Sequence, residues 1–504
     1  MNDIIIFSSA YLLSIVFSVT KNNYPAAAIL IFTSGYLYYS ISSDAKNALN
    51  LKGLWVLGFG GGLGISLLKL SHLSKDYLPM TWFCFYLAVV CFFFGYDSIN
   101  LQKEYKRRQF LTYAKPASLY SLATEENDDF LAGFIRRIII IMLSISIFAF
   151  LFELYFLKFI PLFSIGTPHA YSEFHIVGVH YLTTLHVLVP SISIIYGTRF
   201  NKKDRIFYAG LIIPFILAVL LVSRSQILMG TIFAFFAHYL MKRRVNSNLV
   251  ILSVVIIIIT YIGLTFARSH SAKYLNDIFE MKFDLPIFIS QPYTYIANNY
   301  ENFNLLVGRT DYHRSLGLKM LYPIFTLSFA KFKWPWLVYL YNVVNKPELT
   351  TVTIIYDAYF DFGFLGVAGF TFVLGMIAAQ LNDLFIKKKS LFIVLIYAQY
   401  AFYMFFSFFT TWFTIPQTWV YMIISIFIYY LYKRKESVIN GTYKVPKNEY
   451  DFRQRKPANK VRLSNLRSSK NSNIINLILS KLKLKKSKDD FINYDKLPGP
   501  NGSM

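Results

Sequence analysis

The sequence predicts an all-α polytopic membrane protein of about twelve transmembrane helices, with one large, partly helical external loop between the ninth and tenth. Three observations carry this. The chain is 55% hydrophobic and only 15% charged, and its mean hydropathy is +0.43, a balance foreign to a soluble domain of this length. Apolar blocks recur along it, most of roughly 17–22 residues and so long enough to cross about 30 Å of hydrocarbon, with the eighth short. Between Arg268 and Tyr356 that recurrence stops.

Taken in order, the apolar blocks fall near 4–20, 25–43, 53–70, 78–96, 138–157, 177–196, 206–222, 227–240, 249–267, 362–381, 391–409 and 419–432. The first lacks a basic start and a small-residue cleavage site, so it reads as a span rather than a cleaved leader. Cys84 and Cys91 share one predicted span, which leaves neither a disulfide framework nor metal-ligand spacing.

Lys and Arg in the short loops set the orientation. Lys103, Lys106, Arg107, Arg108, Lys115, Arg136 and Arg137 flank the fourth connection. Arg199, Lys202, Lys203 and Arg205 lie in the sixth, Lys242, Arg243 and Arg244 in the eighth, and Lys387, Lys388 and Lys389 in the tenth. All are even-numbered, so both termini are expected in the cytoplasm and the long loop outside. The formal net charge of +24 resides in these loops and in the tail after Lys433. A basic strip beside an inner leaflet meets anionic lipid first, and no nucleic-acid-binding motif accompanies it.

Three regions follow. Residues 1–135 hold four spans and a cytoplasmic loop whose acidic patch, Glu125, Glu126, Asp128 and Asp129, opens the helix into the fifth span. Residues 136–432 form the core and include the external loop 268–356. Residues 433–504 are a basic tail, mostly unable to bury a core. Its stretch Ile474–Lys486 is compatible with a basic amphipathic helix on the membrane surface or with no structure.

Four external segments carry the polar chemistry. The fifth connection, Lys158–Ile176, is broken by Pro161, Gly166 and Pro168 and offers His169, Glu173 and His175 as acid–base groups or as interfacial hydrogen-bonding side chains. The turn Ser223-Arg224-Ser225-Gln226 sets an Arg between two apolar helices, where it either snorkels or pairs with an anion; a guanidinium matches phosphate with two parallel hydrogen bonds. In the long loop, Gly308-Arg309-Thr310-Asp311-Tyr312-His313-Arg314 can bind phosphate and hold a base nearby, or be a structural salt-bridge cluster. Its Tyr293, Tyr295, Tyr300, Trp334 and Trp336 can stack on sugars or anchor the interface. The fourth segment, Thr350–Gly366, sets Asp357 and Asp361 four residues apart, on one face if the helix begins early, with Asp361 equally suited to capping its entry. No HExxH, P-loop or dinucleotide-binding glycine run occurs, and no metal set stands out. The donor is therefore expected to arrive already activated in the membrane.

With these motifs the chain resembles the bacterial Wzy-type polymerases, the O-antigen or oligosaccharide repeat-unit polymerases. The likeness rests on Pro161-Leu162-Phe163-Ser164 with the return into a span at Val177, and on the Ser223-Arg224-Ser225 turn. The large late loop and Tyr359-Phe360-Asp361-Phe362-Gly363-Phe364-Leu365-Gly366 complete it. It covers roughly residues 130–432. The resemblance implies a glycosyltransferase of the bacterial cytoplasmic (inner) membrane that joins undecaprenyl-pyrophosphate-linked oligosaccharide units at the outer face. No metal or other cofactor is implied; membrane lipid and a chain-length regulator are the further partners. On this scheme Arg224, Arg268, Arg309 and Arg314 bind the departing pyrophosphate, and Asp311, His313 or Asp361 deprotonates the acceptor hydroxyl. His169, His175, Tyr312 and Asp357 contact substrate. A polysaccharide ligase shares donor and topology but not acceptor. A flippase would place charge within the spans, whereas here Glu153 and His180 sit near outer ends and His186 and His238 are single. A scaffold would need no cluster of Arg in its outer loop.

Overall fold

The computed structural model describes residues 2–110, 125–164, 173–242, 251, 255, 277–309, 313–338, 340–388 and 391–439. The chain divides into two compact units, Met1–Tyr443 and Lys444–Met504; the second, with the tail's amphipathic stretch, lies outside the described residues. Those residues are helical, with no strand beyond a single bridge between Ser71 and Met281.

The first unit opens with α1 (Asn2–Val19) and α2 (Asn23–Asp44), packed as a hairpin. α3 (Leu51–Trp55), a π-helical turn (Val56–Gly60) and α4 (Gly61–Ser66) follow in place of the single expected third span. The side chain of Asn50 starts this segment by accepting from the Lys52 and Gly53 amides, which satisfies donors that have no partner within the helix. α5 (Pro79–Phe110) and α6 (Glu125–Leu157) are long, and α6 does begin at the acidic patch. α7 (Val179–Thr183), a 3-10 turn (Thr184–Leu188) and α8 (Val189–Arg199) form one span. α9 (Arg205–Leu220), capped by Asp204 on the Phe207 amide, leads by a sharp turn into α10 (Arg224–Lys242).

Within the long loop lie α11 (Ile287–Gly308), α12 (Tyr322–Leu327) and α13 (Ala330–Lys333). α14 (Tyr356–Lys388), α15 (Leu391–Phe405) and α16 (Pro416–Ile439) complete the unit. Among the described residues, five helical stretches are long and apolar enough to cross a membrane: Asn2–Val19, Pro79–Ile99, Asp129–Leu157, Val179–Arg199 and Tyr356–Ile386. Arg205–Leu220 and Phe392–Phe405 are shorter and apolar. The ninth expected span, 249–267, falls largely outside the described residues.

The N-terminal helices share their core with the later ones, because α5 lies along α14. A Cβ at Gly95 would run into the Phe372 carbonyl, and one at Gly375 into the Phe92 carbonyl, so reciprocal glycines let the two backbones touch. α11 is drawn inward against α4 and α5 rather than lying on the surface. Its Tyr300 and Phe303 pack on Phe85, and the Tyr300 hydroxyl donates to the Phe59 carbonyl at 2.6 Å. That carbonyl belongs to the π-helical turn, where i→i−4 pairing is lost.

The buried amides of α11 serve irregular backbone. Asn302 donates to the carbonyls of Leu349 and Thr351 at 2.8 and 2.9 Å, Asn299 donates to that of Phe408 at 2.9 Å, and Asn304 accepts from the Leu78 amide at 3.0 Å. Non-helical backbone is tolerated at depth only where protein supplies such partners.

Candidate functional site

α14 begins early, at Tyr356, and breaks at Gly363, whose φ of 64° and ψ of −148° are non-helical. Asp357 and Asp361 therefore share the short helical piece before the break, and both are fully buried. Asp357 accepts from Lys319 Nζ at 2.9 Å and from the Thr414 hydroxyl at 2.6 Å. The same ammonium donates to Asn342 Oδ1 at 2.5 Å and lies 4.8 Å from the Phe360 ring centre. Asp361 accepts from the Ser315 hydroxyl and from the amides of Lys319 and Met320, at 3.3 and 2.8 Å. It does not cap its own helix; it organises the turn 315–320.

That turn carries His313 and Arg314 on its N-terminal side, and both are exposed. The Arg314 guanidinium sits 5.8 Å from the Tyr359 ring centre and occupies the space where a Cβ on Gly363 would project. The break in α14 thus makes the seat for this Arg. Arg309, exposed, ends α11 in extended conformation. Arg224 is the first residue of α10 and is half-buried, in a turn where the Ser223 and Ser225 hydroxyls are 3.3 Å apart and Val222 adopts a φ of 53°. His169, Arg268, Asp311 and Tyr312 lie outside the described residues.

A second polar cluster forms where α6 ends and α7 begins. Glu153 is fully buried and its carboxylate accepts from the Thr183 hydroxyl at 2.7 Å and the Ile176 amide at 3.1 Å. His180 Nδ1 is 3.1 Å from the same carboxylate, and the His175 ring centre is 5.2 Å from that of His180. The His175 ring meets solvent, yet the protein around it desolvates it and, with the His180 ring beside it, holds its pKa below the ordinary histidine value. Lys331 acts on His175, and Tyr322 on Tyr181, through space.

Several residues given no site role in the sequence sit within these polar networks. Lys319 sits in the apolar run Leu318–Tyr322, where a lone cation signals a buried carboxylate partner. Lys69 likewise pairs with Glu301 at 2.5 Å, both buried. Glu153 and His180 stand out as polar residues at facing ends of consecutive spans, but only folding joins them. Tyr293 and Tyr300 are buried, hydrogen-bonded to the Leu70 amide and the Phe59 carbonyl, so neither is open to a sugar; Trp334 and Trp336 are exposed. His186 bonds the Thr183 carbonyl of its own span at 2.8 Å rather than a neighbouring helix. Among the described residues no three His, Cys, Asp or Glu side chains converge as a metal set.

No curated protein matches the chain, and no solved structure does. One family model, described as "Putative O-antigen polymerase", matches residues 62–283. That stretch takes in Glu153, His175, His180 and Arg224, whereas Arg309, Arg314, Asp357 and Asp361 lie beyond it. The Wzy-type likeness read from the sequence is thus supported by a match to the O-antigen polymerase family over residues 62–283.

Proposed function

We propose that the protein polymerises undecaprenyl-pyrophosphate-linked oligosaccharide repeat units into surface polysaccharide, at the outer face of the bacterial cytoplasmic membrane. The observation that carries this reading is the family match over residues 62–283. A hydroxyl of the incoming unit attacks the anomeric carbon of the growing chain. The bond from that carbon to the pyrophosphate oxygen breaks, and the lipid pyrophosphate leaves with the electron pair. Activation resides in the donor, so the scheme invokes no nucleotide, metal or other cofactor.

Charge grows on the departing pyrophosphate, and fixed cations stabilise it there. Exposed Arg309 and Arg314, with Arg224 and Arg268, are the groups for that task, and Arg314 is the best supported because Gly363 and Tyr359 fix its position. Asp357 and Asp361 act as positioning residues: enclosed by donors, they hold the turn beside His313 and Arg314. Asp311 and His313 are that loop's candidates for receiving the acceptor's proton, and His169, His175 and Tyr312 for contacting sugar. The even-numbered basic loops support cytoplasmic termini and an outward long loop.

The test is the surface-glycan ladder of a deletion strain complemented with wild type, Arg224→Ala or Arg314→Ala. Polymerase activity gives single repeat units in the deletion strain and a ladder restored by wild type alone. Long polymer stranded on its lipid carrier would instead identify a ligase, and absence of glycan from the outer face a flippase.

A further inference from the structure

From the cluster at the α6–α7 junction we infer that His180, oriented by Glu153, is, in place of Asp311 or His313, the base that takes the proton from the acceptor hydroxyl, beside a groove that holds the polyprenyl tail. The inference rests on the polymerase reading above and assigns it a catalytic residue.

The geometry is that of an oriented imidazole. A fully buried carboxylate is costly unless hydrogen bonds satisfy it, and Glu153 is fixed on one side by the Thr183 hydroxyl and the Ile176 amide. Its remaining partner is His180 Nδ1, at 3.1 and 3.3 Å from the two carboxylate oxygens. A carboxylate on Nδ1 fixes the proton there, which leaves Nε2 with the lone pair. The carboxylate also stabilises the imidazolium once Nε2 accepts a proton. The His180 side chain is 22% exposed while that of Glu153 is 0%, so the outer member of the pair is the one open to substrate.

A groove brings substrate to this place. Ile145, Phe148, Phe152, Val179 and Leu182 line an apolar cavity of about 480 Å³. Phe152 precedes Glu153, and Val179 and Leu182 flank His180 in sequence, so the groove runs along the same two helical segments that carry the pair. An apolar trough beside a polar site fits an amphiphile with a long hydrocarbon tail; Phe148, 71% exposed, opens it towards lipid. In the reaction the acceptor oxygen forms its bond to the anomeric carbon, its proton passes to His180 Nε2, and the lipid pyrophosphate departs with the electrons of the broken bond.

The experiment uses the full chain in nanodiscs, with lipid-linked repeat units extracted from a deletion strain. His180→Asn is expected to lower turnover by about 100-fold or more, the scale of a lost general base. His180→Ala is expected to regain turnover with added imidazole, which requires a folded protein with a vacated base site. Glu153→Gln is expected to lower turnover with KM unchanged, and Leu182→Trp, which fills the groove, to raise KM. Turnover of His180→Asn within a few-fold of wild type overturns the inference and leaves polymerisation standing. So does His180→Ala that melts like wild type yet stays silent to imidazole. An unchanged KM for Leu182→Trp overturns the groove assignment. Wild type that makes no polymer overturns the polymerase reading and this inference together.

Discussion

The Nζ of Lys319 lies 2.9 Å from Oδ1 of Asp357, in a place where neither side chain meets solvent. The pair joins the turn 315–320 to the first helical piece of α14, and Thr414 joins both to the segment before α16. Two more buried lysines do similar work. Lys69 binds Glu301, and Lys52 binds Asp3 and Asp97 at 2.8 and 3.0 Å.

Replacing one partner leaves the other charged and enclosed. Lys319→Met is therefore expected to destabilise the protein by about 3–5 kcal/mol, and Lys319→Met with Asp357→Leu by much less. Thermal unfolding in detergent compares the single and double variants.

Asp361 acts on the turn rather than on its own helix. Asp361→Ala removes the acceptor for one hydroxyl and two amides, so hydrogen exchange should accelerate across residues 315–320 while α5 and the distal part of α14 keep their protection. Equal acceleration throughout would show that the carboxylate supports the whole bundle.

Gly363 holds a backbone conformation close to glycine-only, and Arg314 fills the space beside it. Gly363→Ala is expected to cost about 1–3 kcal/mol in backbone strain and to displace Arg314. Glycan polymerisation should fall to the level of Arg314→Ala, with the double variant no worse than either single one.

His175 has a pKa held below its ordinary value, so the unfolded chain binds more protons at this position than the folded one between the two values. Stability there rises with pH and falls on acidification through the ordinary histidine range. Mild acid should loosen residues 173–180, read by hydrogen exchange, and His175→Gln should remove that part of the response. An identical acid response in His175→Gln would assign it to another group.

The class of fold was legible because hydropathy is a property of segments. Helices such as α6, from Glu125, and α10, from Arg224, start near where polarity changes. The third span was not legible as drawn: Gly58 lies where a Cβ would meet the Phe405 carbonyl, and the π-helical turn that contains it is bonded at Phe59 by Tyr300, far away in sequence. The inward packing of α11 was equally hidden, since an Asn-rich amphipathic segment reads as a surface cap until its amides find buried carbonyls.

At the candidate site, sequence marked the Arg clusters and the Asp357–Asp361 spacing by residue type alone. It set the two carboxylates on one face, because a helix fixes i and i+4 whatever surrounds it. Their partners and their enclosure came from contacts with Ser315, Lys319 and Thr414, which are distant along the chain. The Glu153–His180 pair is of the same kind. Local propensity and hydropathy determined that this chain forms apolar helices with polar groups gathered between them. Only tertiary packing decided which polar groups are paired inside and which, like Arg314, are left exposed.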